Sequence, residues 1–355
     1  EEVIAKGKTK SSIRVPGDLQ IDLRIVKEEE YGAALIYFTG SKDHNITIRN
    51  RAIDRDWKLN EYGLFDVSDV DENDAGERAG ERLASEEESD IYEKLDLAYI
   101  EPELREDTGE VAAAADGTLP NLIQEGELQG DLQVHTTYSD GNMGVQELAS
   151  AADERGLEYI AVTDHGPGSN LPQCLDGDGF NQQRDKIKEM NEEFEVTLLH
   201  GIEAEITNDG LAFPENWKEE LDVVVAAMHT PTDNPTTDIV DTFEEEPIDV
   251  LAHPLNRKIH EREPMDVDLQ AIVDAATNNA VAIEINAQPA RLDLPWRNIK
   301  EYRNDAQFVI STDAHRVGEL DFAHLGISQA RRGWCEAEDI LNTRELEGLL
   351  RGVGR

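Results

Sequence analysis

Cysteine is nearly missing: Cys174 and Cys335 are the only two in 355 residues. Two cysteines give no disulfide framework and fit a reducing, cytoplasmic compartment. Long apolar runs are missing too. None approaches the ~20 residues that span a bilayer, and no secretory leader is visible, so a membrane partner is not expected. Basic residues are short, with 33 Lys+Arg against 77 Asp+Glu and a formal charge of -44. The acid runs along the whole length, in blocks such as "KEEEYG", "DVSDVDENDAGERAGERLASEEESD" and "DTFEEEP", which read as solvated faces and loops. A surface for cations or a basic partner is one reading of this acidity. Adaptation to high salt is the better one, because Lys is scarce relative to Arg and the carboxylates are everywhere. In ordinary salt the charge argues against nucleic acid, whose binding draws on phosphate neutralisation. In molar salt the Debye length is roughly 3 Å, so the net charge does not exclude DNA.

What is present divides the chain in two. Residues 18–26, "DLQIDLRIV", alternate as a half-buried strand does. A helix, a Thr-Gly-Ser break, a second helix and a short strand follow. The acidic stretch from about Asp66 to Glu88 reads as loop, "SDIYEKLDLAYI" as helix, and the chain then passes through a turn-rich linker ending near Gly126. Beyond it seven apolar or β-branched runs are separated by helical stretches: "DLQVH", "YIAVTDH", "TLLHGIEAEI", "DVVVAAMH", "IDVLAHP", "AVAIEIN" and "FVISTDAH". That alternation predicts parallel βα units closed into a barrel, one strand short of the usual eight. The chain opens in sequence that reads as the middle of a domain, so a longer parent is expected.

At or just after the ends of those runs stand His135, His165, Glu203, His229, His253, Asp313 and His315, with Asp140 in the turn after the first. In a βα barrel this rim is where active sites assemble. A lone strand-end histidine is usually structural, but five of them with three carboxylates form the ligand set of Zn²⁺, Mn²⁺ or Fe²⁺. His44, His200, His260 and His324 lack the strand-end position and read as structural.

"GDLQVHTTYSDG", "AVTDH", "GIEAEI", "AAMH", "LAHP", "IEINAQPARLDL" and "STDAH" resemble the PHP (polymerase and histidinol phosphatase) domain, in the form that ends family X DNA polymerases. "DLQIDLRIV", "YFTGS", "HNITIR" and "LNEYGLF" resemble the end of the palm and the thumb of the same polymerases, in the same order. The resemblance implies a seven-stranded (βα)7 barrel of PHP type after a smaller α+β region. The expected division is palm end 1–28, thumb 29–105, linker 106–128 and PHP domain 129–355. With the acidic composition, it points to a halophilic archaeon as source.

Carried onto these positions, the resemblance implies three ions: one held by His135, Glu203 and Asp313, one by Glu203, His229 and His253, one by Asp140, His165 and His315. Glu203 bridges the first two, and Glu203, Asp313 and His315 stand nearest the chemistry. Gln133 replaces the usual first histidine of the motif; an amide oxygen is a weaker ligand and suits Mn²⁺ better than Zn²⁺. Two or three Mn²⁺ or Zn²⁺ ions would support phosphoester hydrolysis by activating water and neutralising phosphoryl charge. Arg257 and Arg291 are candidate phosphate clamps; surface ion pairing is the equally open alternative. In the front part Asp22 matches the last of three palm carboxylates that hold Mg²⁺, Tyr37, Phe38 and Gly40 the nucleotide-pocket turn, and Asn45 and Arg49 the helix near the base pair. A single carboxylate does not assemble that Mg²⁺ pair, so polymerisation by this chain is not expected. The expected partners are gapped DNA or DNA 3′ ends, and deoxynucleotides for an intact parent; no protein partner is deducible. The function implied is a 3′–5′ exonuclease attached to a repair polymerase. A histidinol-phosphatase-like phosphomonoesterase and a non-catalytic PHP domain remain the alternatives.

Overall fold

In the computed structural model, residues 2–71, 76–169 and 173–352 are described. They form two compact units, Glu1–Leu119 and Pro120–Arg355.

The first unit begins with an antiparallel meander, β1 (Glu2–Lys6), β2 (Lys10–Val15) and β3 (Leu19–Arg24). Only β3 is legible as a strand in the sequence. α1 (Tyr31–Thr39) stops at Gly40, whose φ of 74° closes the helix, and Ser41 then caps α2 (Lys42–Ile53) by accepting the His44 N–H. β4 (Trp57–Asn60), β5 (Gly63–Asp66) and β6 (Glu81–Ala84) make a second antiparallel sheet. β6 lies inside the acidic stretch expected to be loop. Pairing with β5 supplies what its "ERLA" sequence does not announce. α3 (Glu88–Lys94) ends six residues before the expected Ile100, because Asp96 turns into the left-handed region at φ 54°. Arg51 and Arg55 donate to the Leu95 and Asp96 carbonyls there, holding the break from another element. α4 (Glu110–Asp116) follows, inside the segment expected as linker. His44 is buried between Glu110 (2.7 Å) and Tyr92 (3.0 Å), a structural role as expected.

The second unit is the seven-stranded barrel. Its strands are β7 (Gly130–Val134), β8 (Tyr159–Val162), β9 (Thr197–Thr207), β11 (Val223–Ala227), β12 (Val250–Leu251), β13 (Ala282–Asn286) and β14 (Phe308–Ser311). β10 (Gly210–Ala212) only folds back antiparallel on β9. All seven pair parallel in chain order, and a bridge between Val134 and Ala314 joins the last strand to the first. The crossovers include α5 (Val145–Glu154), α6 (Gly177–Asn191), α7 (Pro235–Glu245), α8 (Leu269–Asn278) and α9 (Trp296–Tyr302), with α10 (Ala323–Arg332) after β14. Alternation decides what each strand buries. Tyr159 and Ala161 face inward with Leu132, Leu199, Val225, Ala252, Ala282 and Val309, filling the lower barrel. Ile160 and Val162 face outward against Leu148 and Ala152 of α5. The inward positions nearer the strand ends carry the polar residues. The barrel takes in more chain than expected: Ile123 is fully buried in its core, and Leu122 bridges to Glu336. No helix among the described residues is long and apolar enough to cross a membrane.

Candidate metal centre

Every strand-end residue singled out from the sequence reaches one place, a cavity of about 240 Å³ at the C-terminal rim, except His135, which is fully buried just beneath it. Glu203 on β9 is the centre. Its Oε2 lies 2.9 Å from His165 Nδ1 and 3.5 Å from His135 Nε2; its Oε1 lies 3.2 Å from His253 Nε2 and 3.5 Å from His229 Nε2. Asp313 Oδ1 is 3.3 Å from His135 Nε2. Asp140 Oδ1 is 3.4 Å from His315 Nε2 and 3.6 Å from His165 Nε2. The rings of His165 and His315 stack on that of His135 at 4.5 and 4.4 Å. Donor atoms of His135, Asp140, His165 and His315 lie within 4.8 Å of one another, as do those of His165, Glu203 and His229. His165 thus stands between two groups, one ring nitrogen facing each.

The charges follow from this crowding. Burial raises the Glu203 carboxyl, but His165 and His229 outweigh it and hold it well below the ordinary range. Asp313 is lowered in the same way, chiefly by His135, and Asp140 chiefly by His315. Burial lowers His165 and His315, yet Glu203 and Asp140 carry them up to about 8 and about 9. Burial and then Arg291 push His253 down to about 4.

The donor set fits divalent cations. His135 Nδ1, His253 Nδ1 and both amide atoms of Gln133 are buried without a hydrogen-bond partner among the described residues. Leaving so many buried polar atoms unmade is costly for a protein-only site. Imidazole nitrogen with carboxylate oxygen is the ligand chemistry of Zn²⁺, Mn²⁺ and Fe²⁺.

The backbone is bent to present these groups. His253 and Asp313 adopt φ of 29° and 52°, unusual for residues with a Cβ. Glu284, inside the barrel on β13, accepts the His253 N–H at 2.7 Å, and Asn286 donates to Asp313 Oδ2 at 3.2 Å. Burial, then Asp313, pushes the Glu284 carboxyl well above its ordinary value. Asp164, adjoining His165, accepts from the Thr136 and Ser139 N–H groups (2.8 and 3.1 Å), from both their hydroxyls and from Gln183 (2.6 Å). That fan of donors ties down the turn that carries Asp140. Gly141 ends the turn where a Cβ would meet the His135 carbonyl at 2.3 Å.

Asp164, Glu205, Glu284 and Lys258 are absent from the sequence-based list. The first had a signal, "TDH", and the second another: two residues after Glu203 on a strand, Glu205 shares its face. Arg291 lines the cavity, its Nε 3.4 Å from Asp313 Oδ2. Arg257 does not. Its guanidinium donates to the Arg291 and Leu292 carbonyls, and Lys258 beside it lines the cavity instead. Of the polymerase-like positions, Asp22 lies exposed on β3 beside Lys10, and Tyr37 and Phe38 meet edge to face, 5.0 Å apart, at the end of α1. Asn45 on α2 donates to the Tyr37 carbonyl, and Arg49 lies one turn further on.

Two family models match: DNA polymerase beta thumb over residues 34–106 and PHP domain over residues 131–344, more than half of the chain. DNA polymerase/3′-5′ exonuclease PolX of Bacillus subtilis is 35% identical over 358 residues, covering 98% of this chain. This chain spans 61% of that relative's length. A protein named "Probable phosphatase" from Aeromonas hydrophila is 27% identical, covering 63% of this chain and 94% of its own. The solved histidinol phosphate phosphatase of Lactococcus lactis aligns over 57% of this chain and 93% of its own, at 14% identity and a TM-score of 0.41. With its cluster of histidines and carboxylates at the rim of the barrel that the PHP model spans, this chain belongs to the PHP domain family, and the segment before it matches the DNA polymerase beta thumb.

Proposed function

We propose that this chain is a metal-dependent phosphodiesterase acting 3′ to 5′ on DNA ends, as the PHP part of a family X DNA polymerase. The observation that carries the reading is the alignment of thumb and barrel together with a relative named DNA polymerase/3′-5′ exonuclease, in a chain whose rim holds a divalent-metal ligand set. Bound ions supply Lewis acidity and charge neutralisation at a phosphoryl group.

The chain's own residues would do the rest. His135, Asp313 and Glu203 would hold one ion, with Gln133 in place of a usual histidine; Glu203, His229 and His253 would hold a second; Asp140, His165 and His315 would hold a third. Glu203, Asp313 and His315 adjoin the reacting group. Arg291 and Lys258 orient phosphate oxygens from the cavity wall, and Arg257 anchors the carbonyls of the Arg291 loop. In the first unit Asp22, Tyr37, Phe38, Gly40, Asn45 and Arg49 serve DNA and nucleotide binding, with Mg²⁺, in the longer parent. Mn²⁺ suits the site better than Zn²⁺ because of the amide at Gln133.

A phosphomonoesterase is the second reading, favoured by the phosphatase relative that the barrel alone nearly covers. One experiment separates them. The full chain, loaded with Mn²⁺ in molar salt, is given a 5′-labelled primer and, separately, a small phosphomonoester. A ladder shortening from the 3′ end is the expected result. Hydrolysis of the monoester alone supports the second reading. Metal uptake without hydrolysis of either leaves a non-catalytic domain.

A further inference from the structure

We propose that Glu205 is the positioning residue of His229: it fixes the ring's tautomer and aims its Nε2 at the metal cluster. The inference rests on the metal reading above and concerns a residue outside the ligand set.

Glu205 lies on β9 two residues beyond Glu203, so both project to the same face. Glu203 enters the cluster, whereas Glu205 turns to the neighbouring strand, where its partner in register is Ala227. Its Oε2 lies 2.6 Å from His229 Nδ1, and its Oε1 accepts the backbone N–H groups of His229 (2.9 Å) and Thr230 (3.2 Å). One carboxylate therefore grips the ring and the main chain of the same residue. An acceptor at Nδ1 places the ring proton there. The lone pair is left on Nε2, which faces Glu203 Oε1 at 3.5 Å. Histidine ligands characteristically donate their second ring N–H to a carboxylate or carbonyl, which fixes the ring and raises its basicity. Of the other cluster histidines, His315 has Nδ1 against the Asp313 carbonyl, and His253 Nδ1 has no partner among the described residues. In His229 the orienting group is a side chain and open to substitution.

Glu205→Gln is nearly isosteric and keeps an oxygen for the backbone N–H groups. Its amide nitrogen, facing Nδ1, would drive the ring proton to Nε2 and occupy the lone pair that ligation needs. Calorimetric titration of the full chain with Mn²⁺ should then show one ion bound 10- to 100-fold more weakly. Long-range ¹⁵N–¹H spectra of the metal-free variant should show His229 protonated at Nε2 rather than Nδ1. Glu205→Asp, which keeps the carboxylate, should restore part of the affinity. Mn²⁺ binding by Glu205→Gln equal to that of the parent chain, or an unchanged tautomer, overturns the role of Glu205 while leaving the metal site standing. A parent chain that takes up no Mn²⁺ overturns both.

Discussion

A buried carboxyl outside the cluster offers a test at the scale of one residue. Asp293 is fully buried, with Oδ2 accepting the Leu255 and Arg257 N–H groups and Oδ1 unpartnered among the described residues. Burial, partly offset by Arg257, pushes its pKa from 3.8 up to about 6. A carboxyl raised in the fold destabilises most where it is ionised in both states, above about pH 6. The penalty is relieved as pH falls from 6 towards 3.8. Asp293→Asn removes this titration. The variant's stability relative to the parent should therefore be greatest at pH 7 and fall by about 1 kcal/mol by pH 5. Urea unfolding of both proteins at the two pH values measures it, and a pH-independent difference would refute the burial argument. Asp131, also raised to about 6, is common to both proteins and cancels.

At the scale of elements, the polar turn between β7 and α5 carries Asp140 to the rim, so it depends on an anchor. Asp164 at the end of β8 is that anchor, gathering donors from Thr136, Ser139 and Gln183 of α6. Asp164→Ala would leave those buried donors without their acceptor and free the turn that presents Asp140. The expected outcome is weakened Mn²⁺ binding at the group of Asp140, His165 and His315, with the ion bound by Glu203, His229 and His253 retained. Titration should show the fall confined to one ion. An equal loss of all ions would mean that Asp164 supports the barrel as a whole rather than this turn.

For the whole molecule, the boundary between the units sets what can be cut. The resemblance places the start of the PHP domain at 129, yet Leu122 and Ile123 are buried in the barrel unit. Burying two such side chains is worth about 3–6 kcal/mol. A fragment of residues 120–355 should therefore fold independently and bind Mn²⁺, with a clearly higher urea midpoint in molar salt than one of residues 129–355. Equal midpoints would place Leu122 and Ile123 outside the folding unit. High salt belongs in the assay because a charge of -44 repels itself strongly at low ionic strength.

Local patterning is enough for the barrel and its rim. Seven apolar runs separated by helices fix the strand count, and a histidine or carboxylate at the end of a run can only emerge at one end of parallel strands. His135, Glu203 and Asp313 were legible for that reason, and Gln133 only through the resemblance. Other features depend on neighbours distant in sequence and emerge only on folding. Strand β6 exists because β5 pairs with it, and α3 ends where Arg51 and Arg55 take its carbonyls. The choice between adjacent cations was likewise tertiary: Arg257 and Lys258 carry the same charge on paper, but the Arg291 and Leu292 carbonyls engage the first and leave the second at the cavity. The orienting carboxylates were hidden similarly. Strand alternation puts Glu205 on the face of Glu203, but among 77 acidic residues only the neighbouring strand shows that it meets an imidazole, at 2.6 Å. Local pattern encodes which way a side chain faces, and only the closed barrel decides what it meets there.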